Sequence, residues 1–222
     1  MDFTPILISL KTASLSILIT FFMGLFAAKK ILNLKSERSK MIWDGIFTLP
    51  LVLPPTVAGF FLLYVFGVKR PFGRFLLEHF GIKIAFSFLA TVLAAVVISF
   101  PLMYRSARGA FEQVDQNLIY AGRTLGMKES AIFFKVLMPN AMPGIVSGGI
   151  LAFARGLGEF GATAMIAGNI AGRTRTLPLA IYSAVAAGDM DTAYEYVLVL
   201  VAVSLIVVSF MNYYNYWVKK RR

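Results

Sequence analysis

Arg155 and Glu159 stand four positions apart in the run AFARGLGEFGA, which is otherwise apolar or small. On a helix that spacing brings one side chain over the other, so the two can pair. Charges at bilayer depth are costly and are found paired, buried or beside a pathway. The pair therefore either locks its helix or lines or gates a route through the membrane. Other chemistry-bearing residues are sparse. The chain has one histidine, His79, and no cysteine, which excludes disulfides, thiol nucleophiles and thiolate metal sites. His79 has no second histidine with which to share a metal. A membrane-embedded enzyme would need His, Cys or carboxylates clustered at ligand spacing, whereas the 11 acids fall mostly between apolar runs. No Gly-Lys dipeptide occurs, so the chain has no phosphate-binding P-loop of its own. No catalytic residue and no metal or cofactor site is expected.

The elements that must carry these residues are apolar and long. The 222 residues are 58% hydrophobic, with mean hydropathy +0.74, more apolar surface than a soluble domain of this length can hide. The reading is an all-α integral membrane protein, a single domain over 1–222, with spans at about 6–28, 41–67, 84–104, 143–166 and 196–217. The first run lacks a basic start and a cleavage site and is not expected to be a signal peptide. Within the second span Pro50, Pro54 and Pro55 remove backbone donors and break the helix near its middle. Such a break persists at membrane depth only where protein or a wet cavity satisfies the freed carbonyls. In the fourth span Gly144, Gly148, Ala152 and Gly156 form a shallow ridge for close packing.

The formal net charge of +11 points to headgroups and topology rather than to nucleic acid, because the basic residues lie between and after the apolar runs. With the N-terminus outside, the inner segments hold fourteen Lys/Arg and the outer loops, including Arg173 and Arg175, hold six. That bias predicts an N-terminus outside and a C-terminus inside. Trp43 and Trp217 fall at the expected interfaces.

Between the third and fourth spans, at about 111–142, lies a loop with its own pattern. Leu118, Ala121, Gly122 and Leu125 share a helical face. Gly126 ends that helix, since glycine enters the left-handed conformation without steric cost. A second short helix carries Ile132, Phe133, Val136 and Leu137 on one side and ends at Pro139. This helix–turn–helix offers a small-residue face that another protein can approach.

The spacing Tyr120-Ala121-Gly122, Gly126, then Val136-Leu137-Met138-Pro139 resembles the coupling motif of ABC importer permeases. That motif reads Glu-Ala-Ala, three residues, Gly, nine residues, Ile-x-Leu-Pro. Ala121, Gly126 and Pro139 match outright, Gly122, Val136 and Met138 are conservative replacements, and Tyr120 stands where the family usually has Glu. Residues 154–162 and 173–182 resemble the segments that follow the motif in molybdate and sulfate-type permeases, and 49–59 and 99–103 resemble the molybdate branch closely.

The resemblance implies a type I permease in the cell membrane that moves a tetrahedral oxyanion, most specifically molybdate. Its implied partners are a second copy of the chain, two cytoplasmic ATPase subunits that bind ATP and Mg, and an extracytoplasmic oxyanion-binding protein. It also implies a cytoplasmic coupling helix in the loop. Ser99, Ser147 or Thr163, or helix N-termini freed by broken helices, would then solvate the anion weakly. The same pattern fits a tungstate or sulfate permease. An ATP-independent secondary anion transporter is the alternative of another class, although no internal repeat is visible and five spans do not divide into halves.

Overall fold

The computed structural model describes residues 2–220, apart from the side chains of Asn215 and Lys219. Arg221 and Arg222, counted among the fourteen inner Lys/Arg, lie outside the described residues. The described chain is helical without strands.

Helix α1 (Thr4–Leu32) and helix α5 (Phe88–Glu112) form the centre. Buried hydroxyls join them: Thr12 to Thr91 at 2.8 Å and Thr20 to Ser99 at 3.2 Å. Hydroxyl pairs of this kind hold membrane helices together where burial of apolar surface supplies no net drive. Both pairs are separated by 79 positions, so the two helices run parallel. The chain must therefore cross back between them.

That return is made by α2 (Glu37–Val52) and α3 (Pro55–Phe66), which meet at 109°. The break falls at Leu53-Pro54-Pro55, where the prolines cannot donate the bonds that would continue α2. Pro50, expected to share in the break, lies inside α2 instead. The expected loop at 68–83 contains a further helix, α4 (Pro71–Phe80), opened by proline and closed by Gly81 at φ 65.

The third span is longer than expected. Helix α5 carries Arg105 and Arg108, which the sequence reading placed beyond its end. Then come α6 (Gln116–Thr124), a single turn α7 (Glu129–Ile132), a π-type turn over Phe133–Leu137 and α8 (Met138–Leu157). Pro139 does not end a helix. It sits in the first turn of α8 within one helical run from Glu129 to Leu157. The wider π turn takes up the crowding that the proline ring imposes on the carbonyl four residues back, and Asn140 Nδ2 donates to the Val136 carbonyl at 2.8 Å. Pro143, expected to open the span, likewise lies inside α8.

Helix α8 returns antiparallel to α5 along the predicted ridge. A Cβ at Gly144 would stand 2.7 Å from Ala110 Cβ, and one at Gly148 would collide with Ser106 Cβ. Ala152 is buried, and a Cβ at Gly156 would lie 3.1 Å from Ser16 Oγ on α1. The fourth span does not run unbroken to 166. It stops at Leu157, and α9 (Gly161–Ala167) starts afresh and packs on α3, with Gly59 against Ala162. The sequence Gly158-Glu159-Phe160-Gly161 is a poor helix former, and its glycines permit the break.

The expected loop at 167–194 likewise holds a helix, α10 (Leu177–Ala186), whose Leu177 amide donates to Ser9 Oγ at 2.7 Å. Helix α11 (Met190–Lys220) closes the chain, with Tyr196 Oη donating to the Asp2 carbonyl at 3.1 Å. These contacts put the start of α1, the 168–176 loop and the start of α11 at one end. Among the described residues, counting α2 and α3 as one crossing gives five, and Thr4 and Lys220 end on opposite sides.

Candidate functional site

At the far end, where α1 and α5 finish, the expected coupling stretch folds into a tight turn. Asp115 Oδ1 accepts the Asn117 amide at 2.9 Å and caps α6. The helix ends at Leu125, and Gly126 takes φ 71, the left-handed conformation anticipated for it. The Met127 amide donates to the Gly122 carbonyl at 3.1 Å and the Gly126 amide to the Arg123 carbonyl at 2.9 Å. Together these bonds satisfy the last carbonyls of α6 as a Schellman motif does. Arg123 Nε meets Glu129 Oε1 at 2.7 Å across the turn, and that bond raises the Arg123 pKa further, so the guanidinium stays charged.

The turn offers apolar rather than small-residue surface. Gly122 points inward: a Cβ there would lie 3.1 Å from Ile132 Cγ1. Glycine at 122 lets α7 fold back on α6, while Ala121 is exposed. The outward side chains are Leu118, Tyr120, Leu125 (79% exposed) and, on the π turn, Phe134 (65%). Val136 is half-buried and Pro139 exposed. A groove of about 420 Å³ separates the turn from the end of α1, with Lys29, Gln116, Arg123 and Phe133 on its walls. Lys29 Nζ sits 3.8 Å from the centre of the Phe133 ring, a cation–π contact that ties α1 to the π turn.

The second candidate group lies within the membrane. Arg155 Nη1 and Glu159 Oε2 are 2.7 Å apart, with side chains 32% and 1% exposed. They pair as the spacing predicts, but not along one helix. Glu159 stands past the end of α8, and its Oε1 accepts the Ala162 amide of α9 at 2.8 Å. The carboxylate thus bridges the break, holding Arg155 with one oxygen and the start of α9 with the other.

The outer loop is separate. Arg175 Nε donates to Asn169 Oδ1 at 2.9 Å, Asn169 bonds Ser183, and Arg173 is exposed. Ser99 and Thr163 are buried. Ser147 is half-buried and returns a hydrogen bond to the Pro143 carbonyl. Among the described residues no three His, Asp or Glu side chains gather as a metal ion would need.

Sequence reasoning missed one polar group. Asp44 on α2 accepts from Tyr104 Oη at 2.9 Å and pairs with Arg108 at 2.7 Å, and Arg108 also holds Glu112 at 2.7 Å. The signal was present: Asp44 is an acid inside the predicted second span, and such a residue asks for a partner.

The chain's residues 20–222 match the family model described as binding-protein-dependent transport system inner membrane component. The Molybdenum transport system permease protein ModB of Escherichia coli (strain K12) is 45% identical over 182 residues, 82% of this chain and 79% of that protein. The Putative molybdenum transport system permease protein YvgM of Bacillus subtilis (strain 168) is 37% identical over 210 residues, 95% and 92%. ModB of Mycobacterium tuberculosis is 42% identical over 207 residues, 92% and 76%. In fold, the inward-facing MetNI methionine ABC transporter matches with TM-score 0.73 at 18% identity, covering 94% of this chain and 91% of that one. A bacterial ABC transporter that imports alginate matches with TM-score 0.75 at 15%, covering 96% and 78%.

Proposed function

The chain belongs to the family of binding-protein-dependent transport system inner membrane components, and from that premise we propose that it is the molybdate-conducting permease of an ATP-driven importer. It is a multi-pass membrane subunit and not itself an enzyme. In the proposal two copies enclose one pathway, two ATPase subunits dock on the inner face, and a binding protein delivers the anion outside. ATP and Mg then belong to the partner ATPase.

The observation that carries this reading is the turn at Gly126. It is a capped corner with Leu118, Tyr120 and Leu125 turned outward, at the end of the molecule that also carries Lys29, Lys30, Lys35, Arg38 and Lys40. Apolar side chains beside basic loops suit a docking protein on the inner face better than hydrocarbon. The relatives named as molybdenum permeases support the choice of anion. The same basic residues support an N-terminus outside.

The test is ATP hydrolysis by the co-purified permease and ATPase with the cognate binding protein supplied. Molybdate-loaded binding protein should stimulate hydrolysis several-fold. Stimulation by sulfate and not by molybdate would reassign the anion. No stimulation by any oxyanion would end the proposal.

A further inference from the structure

Arg155 lies deep in the membrane. Its neighbour Gly156 packs at the level of Ser16, which is about 18 Å from the start of α1 and about 24 Å from its end, taking 1.5 Å per residue. Helix α8 is occupied on two sides. Gly148, Ala152 and Gly156 face α5 and α1, while Ile150 and Phe153 border Ile206 and Phe210 of α11. Leu151, four positions from Arg155, is exposed. Arg155 shares that third face and is 32% exposed on it. A guanidinium at this depth is too costly to leave against hydrocarbon, so the face looks onto water or onto a polar path between protomers.

We propose that Arg155 is the cation that the oxyanion meets in mid-membrane, and that Glu159 sets how tightly it is held. The inference rests on the transport reading above. The guanidinium carries five N–H donors in a planar fork suited to oxyanions, and its described polar contact is Nη1 to Glu159 Oε2 alone. The remaining donors are available to a tetrahedral dianion. A lone, uncompensated arginine this deep in the membrane would trap that dianion. Glu159, buried and fixed through its second oxygen to the Ala162 amide, offsets most of the charge and cannot swing away. The result is a site with donors but little net charge, which a dianion can enter and leave.

Arg155→Cys tests the placement directly, because the chain has no cysteine and the new thiol is unique. The permease with its ATPase is reconstituted in vesicles and treated with an anionic, water-soluble methanethiosulfonate in the presence and absence of nucleotide. Labelling is expected in at least one nucleotide state. Leu151→Cys keeps the arginine and covers the chance that Arg155→Cys fails to assemble; it should label too, and its labelling should slow at least threefold in excess molybdate.

Charge is tested separately by molybdate moved per ATP hydrolysed. Arg155→Gln should lower it at least tenfold with the complex intact, Arg155→Lys should recover part of it, and Glu159→Gln should make molybdate harder to displace. A purely structural pair would not move the two neutral variants in opposite senses of anion retention. If the parent transports molybdate but neither thiol reacts in any state, or Arg155→Gln transports at the parental ratio, this inference fails and the transport reading stands. If the parent transports no molybdate, both fail.

Discussion

Gly126 and Gly148 are glycine for different reasons, and substitution separates them. At Gly126 a Cβ would meet nothing within 4 Å, but φ is 71. Gly126→Val therefore strains the backbone by about 1 kcal/mol or more without clashing with its own chain. It should leave the permease inserted and loosen the ATPase, read as less ATPase co-purified and less molybdate moved per ATP. At Gly148 the backbone is helical and the obstacle is Ser106 Cβ. Gly148→Ala should push α8 off α5 and cost roughly 1–3 kcal/mol as overpacking does, lowering the thermal midpoint of the detergent-solubilised protein with no selective loss of ATPase. If the two variants behave alike, the separation of docking corner from packing ridge is wrong. Residue types made both sites legible in advance, since a four-residue glycine rhythm means packing and a glycine between two helices means a turn. What Gly122 does was not legible. Its place beside Ala121 suggested an outer face, and only the fold-back of Ile132 shows that it is an inner contact.

Among the elements, breaks matter more than spans. The bend at Leu53-Pro54-Pro55 is legible from proline chemistry, although Pro50, expected to share in it, stays within α2. The stop at Leu157 is less plain, because the glycines at 158 and 161 permit a break without requiring one and the apolar pattern continues on both sides. The π turn at Phe133–Leu137 is not legible, since its sequence is that of an ordinary helix. Proline at 139 predicts a helix end when the preceding turn is α-helical, and the π turn removes that conflict.

The helices flanking the breaks must then be fixed from outside, and for α2 the link is Asp44 to Arg108 and Tyr104. Asp44→Asn and Arg108→Gln should each lower stability. Their double variant should fall short of the sum by about 0.5–3 kcal/mol, as partners in one network do. Additive losses in thermal or denaturant unfolding would show that α2 is held by its aromatic contacts, Phe47 with Phe100 and Tyr104, and not by the ion pair.

For the whole molecule, the parallel course of α1 and α5 gives five crossings among the described residues, and the proposed inner end is the one with the basic loops. Cysteines placed singly at Asp2 and Ser36 should respond oppositely to a membrane-impermeant thiol reagent in intact cells, with position 2 labelled and position 36 protected. The reverse pattern would put the Gly126 corner outside and remove it from any contact with an ATPase. The central claim is energetic: the chain passes an oxyanion only when ATP is hydrolysed by a partner. Its most direct test is uptake of radiolabelled molybdate into vesicles that hold the permease and ATPase, with loaded binding protein outside and ATP inside. The account predicts uptake that requires both ATP and binding protein and persists when ion gradients are collapsed. Uptake that needs no ATP and stops when the gradients are collapsed would contradict it.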